Sequence, residues 1–507
     1  MKIALNSPAR KRLVAALAIV VAAVYLGLVS REFVAAVLGK RTELLSLKAA
    51  TWLDPADADC RNHLGRYYDL VARDPLAAIA QYKAAVQLDP HSAALWFDLA
   101  GAYQVLDDTA NQTVALVRAI QAEPTKPDVA WTAANFYLVQ GENEKALHEF
   151  RVVMANDPSL AASAIGICWR VDPDVDALLS NVVPPTASAY VAFLDLLQKD
   201  ADLIQRDISS PPDPDSDPDP AVRLKLAEPK LAQMKAETVA TFKVWDALIQ
   251  SHQPFEQRYA FEYIQFLIQH QQVDQAILVW RQTADRFGLS SYLTSPATAD
   301  SNQVVNGDFS LEVLDSGFDW QYQKQAGVRL TLEPLETNKT EDEPMHKSFL
   351  ARLRGFFGKP LHAAPVAAQG ARGPRSLMVA LDGPGISDAG FYQFVPVQPN
   401  TTYEISAQYK NGRGKDLQEG AGGPRLAITD MYTQVDYFQS AELKESDEEL
   451  AQDNDENIVE KWKPVTGKFT TGPECKLVVL HIPRFPLNSP IRGKLWVNNF
   501  RIVRKPS

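Results

Sequence analysis

The chain has 507 residues, 46% apolar and 22% charged, enough for about two to four domains with hydrophobic cores. Acidic residues outnumber basic ones by 62 to 51, and the net charge of −11 offers nucleic acid no global basic field. Cys60, Cys168 and Cys475 lie far apart without a CxxC pair, which excludes a disulfide framework and a zinc site.

Lys2, Arg10, Lys11 and Arg12 form a basic segment over 1–12, followed by an uninterrupted apolar run from Leu13 to Val29. Seventeen helical residues span roughly 26 Å, enough for a thin or adjusted bilayer. We read 13–30 as a transmembrane signal-anchor, with the cationic flank cytoplasmic and the rest extracytoplasmic. A cleaved signal is the rival reading, but Gly27-Leu28-Val29-Ser30 offers no small-x-small triplet. Phe33 to Leu53 reads as helix, and Leu44 to Pro55 as a capping half-unit.

Asp54-Pro55, Asp89-Pro90, Glu123-Pro124 and Asp157-Pro158 then follow at intervals of 35, 34 and 34 residues. A fixed period near 34 marks a helical array whose units bury their apolar faces only by stacking. Within the units the helical spacing shows as Leu64, Gly65, Tyr68, Ala78, Tyr82 and Ala85, then as Trp96, Leu99, Ala100, Tyr103, Leu116 and Ala119. The third set is Ala133, Ala134, Tyr137, Gly141, Ala146 and Phe150, and the first unit carries one inserted residue. Small residues let helices approach closely, and aromatic ones fill the spaces between units. This pattern resembles the tetratricopeptide repeat. The resemblance implies antiparallel helix pairs with a concave groove lined by five positions of each first helix. Those positions are Asp59, Asn62, Arg66, Asp69 and Leu70, then Ala94, Phe97, Gly101, Gln104 and Val105, then Asp128, Trp131, Asn135, Leu138 and Val139. Asn62 and Asn135 would clamp a peptide backbone, Phe97 and Trp131 would give apolar anchorage, and Arg66, Asp69 and Gln104 polar contacts. The competing expectation is that a later helix of the chain fills the groove.

The clear repeats occupy 56–158. The helical period continues through Ala161 to Val171, Ala187 to Gln205 and Ala221 to Gln250, around a Pro/Asp-rich loop at 209–220. Glu256 to Phe287 reads as one more degenerate repeat, through Tyr263, Leu267, Ala276 and Trp280, so the array extends to 288 and the helical domain to 299.

From Ser301 to Ser507 short alternating runs appear, at Phe391 to Val397, Thr402 to Tyr409, Leu426 to Met431, Leu477 to Ile482 and Lys494 to Val503. They predict a β-sandwich, and the chain as a whole a multidomain α plus β protein. Asn306-Gly307-Asp308-Phe309, Gly317-Phe318-Asp319-Trp320, Gly390-Phe391-Tyr392-Gln393-Phe394 and Lys494-Leu495-Trp496-Val497-Asn498-Asn499-Phe500 carry a further resemblance. They resemble the galactose-binding-like jelly roll of carbohydrate-binding modules. The resemblance implies a sugar platform of aromatic faces and polar groups, for which we select Tyr392, Gln393, Tyr432, Tyr437 and Phe438. Strand alternation lets only one of Tyr392 and Gln393 face a ligand. Ser310 and Asn498-Asn499 replace the acids that serve a structural calcium in that family. Asn carbonyls can still coordinate calcium but contribute no charge, which leaves a structural calcium as the alternative to the expectation of no cofactor or metal. Insertions interrupt the sandwich at 335–375, where His346 to Lys359 is basic and apolar, and at 440–457, which holds eight acidic residues.

No P-loop, dinucleotide fingerprint, GxSxG elbow or HExxH is present, and no carboxylate pair stands out, so a non-enzyme is expected. The expectation is a scaffold in a bacterial inner membrane, its bulk periplasmic. The repeats would hold a protein partner, the jelly roll a glycan, and the process served would be envelope polysaccharide assembly or export. The alternative is a glycan-binding adhesion or sensing protein in which the repeats are a spacer.

Overall fold

A computed structural model describes residues 8–209, 220–294, 301–335, 373–411, 422–444, 462–485 and 490–505. Lys2, most of the loop at 209–220, the run His346 to Lys359 and most of both insertions lie outside them. The protein is a multidomain α plus β chain with two compact units, Met1–Phe255 and Glu256–Ser507.

The first unit is helical. α1 (Pro8–Gly39) contains the stretch Lys11–Gly39, apolar and long enough to cross a membrane. After it come α2 (Leu44–Leu53), α3 (Ala58–Arg66), α4 (Pro75–Leu88), α5 (Ala93–Val105), α6 (Thr109–Ala122), α7 (Pro127–Gln140) and α8 (Asn143–Asn156). α9 (Ala161–Val171), α10 (Val175–Asn181), α11 (Ala187–Ser209) and α12 (Pro220–Gln250) complete the unit.

The Asp-Pro dipeptides explain the spacing of these helices. Asp54, Asp89 and Asp157 sit at the C-caps of α2, α4 and α8. Each carboxylate accepts from the amide two residues on, Ala56 at 3.2 Å, His91 at 3.1 Å and Ser159 at 2.9 Å. The side chain thus closes a turn that the intervening proline, without an N–H, cannot continue as helix. Asp57, Asp74 and Asp108 then cap α3, α4 and α6 by accepting from amides of their first turns.

The inserted residue of the first unit also has a location. Directly after α3, Tyr67–Ala72 form a single π turn closed by Arg73 in the left-handed region, φ 56°. A π turn takes up one extra residue without breaking the helix. The small-residue contacts are equally specific. A Cβ on Gly65 would lie 2.5 Å from the Tyr82 ring, so only glycine lets α3 sit against that buried tyrosine. Ala78, Ala85, Ala100, Ala133 and Ala146 are fully buried beside Tyr82, Leu116 and Tyr137.

The second unit opens with α13 (Gln257–Gln269) and α14 (Val273–Phe287) and continues into two antiparallel five-stranded sheets. One has the order β1 (Gln321–Tyr322), β4 (Asp388–Pro396), β9 (Leu477–Pro483), β6 (Ala427–Asp430), β7 (Asp436–Gln439). The other has the order β2 (Val328–Pro334), β3 (Arg375–Gly383), β10 (Ile491–Arg504), β5 (Thr402–Asn411), β8 (Lys463–Thr470). All five strand runs read from the sequence are strands here. Their quoted phrases converge on one aromatic cluster, with Trp320 stacked on Phe391 at 4.8 Å and Phe309 and Phe500 closing around it.

The division between the units differs from the sequence reading, which assigns Glu256 to Phe287 to the repeats and starts the second domain at 301. The α13–α14 hairpin belongs to the sandwich unit. Trp280 packs edge-on against Phe318 and over Gly317, and the Tyr432 hydroxyl donates to the Ile268 carbonyl at 2.8 Å. Lys476 pairs with Asp274. Phe394 and Leu477 lie on the outer face of the first sheet, away from the sandwich core, yet both are buried. The hairpin packs on the sandwich at the loops of Phe318, Tyr432 and Lys476, beside the ends of β6 and β9.

Candidate functional site

The first-helix face of the repeats divides into a polar end and an apolar rim. At the polar end Asp98 of α5 accepts from Asn62 at 2.8 Å and from Arg66 at 2.9 Å, joining α3 to the next unit. Asp69, in the π turn, faces the Tyr82 hydroxyl, which burial together with Asp98 and Asp69 holds above its ordinary range. Asn62, Arg66 and Asp69 therefore form an inter-repeat network. Asn62 is buried within it, which removes it as a peptide clamp; Arg66 keeps an exposed side chain. Farther along, Phe97 stacks on Phe136 at 6.0 Å, bridging α5 and α7. Trp131 leans edge-on against Phe150 at 5.4 Å and stays half-buried, while exposed Asn135 donates to the Trp131 carbonyl at 3.0 Å. Gln104 is half-buried on α5.

The apolar rim comes from the last position of each set. Leu70, Val105 and Val139 are 68%, 65% and 72% exposed at equivalent places in three successive units. Val71 and Leu106 beside them are exposed as well. Among the described residues no later helix covers this rim.

The selected sugar-platform residues behave differently. Gln393 is fully buried, with its amide ends bonded to the Val305 backbone at 2.8 and 3.1 Å. It ties the entry of the sandwich to β4 and reaches no ligand. Tyr392, next in the strand, faces outward as alternation requires, its hydroxyl 3.3 Å from Gln321. Tyr432 is spent on the helical hairpin. The Tyr437 hydroxyl donates to Asp430 at 3.1 Å and accepts from the Gly472 amide at 3.0 Å. Phe438 lies against Gly467, where a Cβ would be 2.0 Å from its ring, so it seals β7 onto β8. The structure does not assemble these five residues into one site.

The opening loop of the sandwich borders a polar cavity of about 380 Å³ that includes Asn302, Asn306, Asp308, Ser310 and Asn499. The residues present do not fit a calcium ion. Asp308 accepts from the Ser310 amide and hydroxyl, and Asn306 from the Leu311 amide at 2.9 Å. The carbonyls of Phe309 and Leu311 accept from the buried Arg375 guanidinium, which also faces Glu312 at 3.6 Å. A cationic side chain therefore cross-links this loop, and among the described residues Asp308 is the only carboxylate lining the cavity.

No family model and no curated protein matches the chain. Among solved structures, MamA is similar over 25% of this chain and 75% of its own, at 25% identity and a TM-score of 0.22. A CBM4 structure is similar over 40% of this chain and 99% of its own, at 14% identity and a TM-score of 0.21. PilF of Pseudomonas aeruginosa is similar over 48% of this chain and 83% of its own, at 16% identity and a TM-score of 0.17.

One arrangement escapes sequence reasoning. Asp388 lies 2.7 Å from His481 Nδ1, and His481 Nε2 lies 3.0 Å from the Thr429 hydroxyl. That hydroxyl donates to Asp436 at 2.6 Å. The row crosses β4, β9, β6 and β7 in order, on the same outer face as Tyr392. Its members come from four separate segments, so no local motif marks it.

Proposed function

We propose that the protein is a non-enzymatic, membrane-anchored scaffold whose first-helix rim holds a partner protein outside the cytoplasm. One observation carries the reading: the aliphatic ladder Leu70, Val105 and Val139, exposed at successive repeat positions. Three such residues left in water forgo roughly 1–2 kcal/mol each, which a partner laid along the rim recovers. The half-exposed Trp131 adds the kind of aromatic anchor that dominates interfaces.

The anchor reading has its own support. Beyond the apolar run α1 continues into the fold, with Ala35 fully buried and its carbonyl 3.8 Å from Cys60 Sγ. The apolar run and this packed end belong to one continuous helix, as an uncleaved anchor requires. The basic residues before Leu13 favour a bacterial inner-membrane orientation with the bulk periplasmic. Union of a repeat array with a carbohydrate-module-like sandwich suits envelope polysaccharide assembly or export, by analogy of fold alone.

Site-specific photocrosslinking in the native membrane tests the scaffold. Crosslinkers at Leu70, Val105 and Val139 should give the same discrete protein adduct, and one at Val114, 58% exposed on α6, should not. Adducts absent from all three positions, or equal at Val114, refute the rim.

The second reading, a glycan-binding adhesion or sensing protein, is favoured by Tyr392 and the Asp388–His481–Thr429–Asp436 row, which put an aromatic and hydrogen-bonding groups on one sheet face. Polysaccharide affinity electrophoresis of the wild type against Tyr392→Ala tests it; equal mobility in every polysaccharide removes it.

A further inference from the structure

The anchor helix does not stop being apolar where the bilayer core ends. Taking the run Leu13–Val29 as centred in the membrane, a hydrocarbon core of about 30 Å is spanned by roughly 20 helical residues. It ends near Arg31 and Glu32. Yet Phe33, Val34 and Val37 follow, 68%, 44% and 43% exposed, with Phe33 and Val37 on the side of α1 opposite the buried Ala35 and Val34 flanking them. Left in water they form a bare apolar stripe. The next helix adds to it. The four-residue turn after Gly39 folds α2 back along α1, as short connections do. Gly39 meets Ala50, with 3.8 Å between the Cβ positions. Trp52 is therefore about 3 Å nearer the bilayer than Gly39, level with Val37. It is 80% exposed. Lys48 shares the outward face of α2 and is exposed too.

We infer that Phe33, Val34 and Val37 of α1 and Trp52 of α2 lie in the headgroup layer of the bilayer and seat the first repeat directly on the membrane. The inference rests on the anchor reading above. Headgroups add about 5–8 Å on each side of the core, which reaches roughly to the level of residue 36. Trp prefers that depth because its ring is apolar and its N–H finds polar partners. Lys48 can extend its ammonium to phosphates along an apolar stem. The partner is thus a lipid surface, continuous with the span, and the seat fixes the height of the repeat rim above the membrane.

Depth-resolved quenching tests this with the full-length protein in vesicles of phosphatidylcholine and phosphatidylglycerol. Single cysteines replace Tyr25, Phe33, Trp52 or Val139, all well exposed, and carry an environment-sensitive fluorophore. The native Cys60, Cys168 and Cys475 are buried, with thiols pushed up to about 12, and stay unlabelled. The expected result is quenching of position 25 by acyl-chain nitroxides, of positions 33 and 52 by headgroup nitroxides, and of position 139 by neither. Quenching at 25 without quenching at 33 and 52 overturns the seat and leaves the anchor standing. No quenching at 25 removes the anchor and the seat together. Concentration-dependent self-quenching at 52, without nitroxide quenching, shows a second copy on Trp52 and also overturns the seat.

Discussion

Replacing Asp319 by asparagine should remove a specific pH dependence from the sandwich. Asp319 precedes Trp320 in the aromatic cluster and is fully buried. Burial pushes its carboxyl from 3.8 up to about 7, against the opposing pull of the Leu314 amide, which donates to Oδ2 at 2.7 Å. A folded-state pKa above the unfolded value means that the native state binds the proton more tightly. The stabilisation is therefore complete below about pH 4 and is lost as pH rises through about 7. About three units at roughly 1.4 kcal/mol each set an upper swing of about 4 kcal/mol. Asp319→Asn retains an acceptor for Leu314 and has no proton to lose. Urea unfolding of both proteins across this range should show the stability of the variant relative to wild type growing with pH and then levelling. Using the difference cancels carboxylates with the opposite trend, such as Asp157, whose bonds to Ser159 hold it low. A difference that stays flat, or shrinks as pH rises, refutes burial of a charge as the cause.

Gly65→Ala should destabilise the helical unit by about 1–3 kcal/mol in thermal unfolding, because the new Cβ meets the Tyr82 ring at 2.5 Å. Pairing it with Tyr82→Leu should cost less than the sum of the two single changes. Residues 256–507 should fold alone, whereas 301–507 should bind a hydrophobic dye and aggregate, since loss of the hairpin bares Phe318 and leaves the Tyr432 hydroxyl without its acceptor. Equal solubility of the two fragments refutes the hairpin as part of the sandwich unit. Arg375→Met should lower sandwich stability by roughly 2–3 kcal/mol, as the carbonyls of Phe309 and Leu311 lose a charged donor. Chelator should leave the wild-type melting temperature unchanged.

Much of this architecture is legible because turn chemistry is local. An Asp-Pro pair closes its turn with groups two residues apart, so its period can be counted along the chain. The jelly-roll phrases are legible for a related reason. Each contributes one aromatic, Phe309, Trp320, Phe391 or Phe500, to a cluster that needs all four. The hairpin α13–α14 is not legible in this way. Its periodic residues Tyr263, Leu267, Ala276 and Trp280 are indeed buried. Periodicity reveals which face of a helix is covered, however, and not what covers it. Here part of the cover is Gly317 and Phe318 against Trp280, which come from a different stretch of the chain. Gln393 fails for the same reason: alternation turns it inward, but its partner Val305 is 88 residues distant.

The same limit, inverted, gives the repeat rim its meaning. A periodic apolar residue is ordinarily buried by its own chain, as Leu116 and Tyr137 are. Leu70, Val105 and Val139 keep the repeat period and stay open. The apolar character at that position therefore serves no contact within the described fold. The π turn strengthens this, because the one extra residue is absorbed beside Leu70 and the ladder position still stays outward. A rim that survives an insertion with its exposure intact is what the proposed partner site requires. Its neighbour Asn62, which reads as equally functional in the sequence, is instead what holds the units in register.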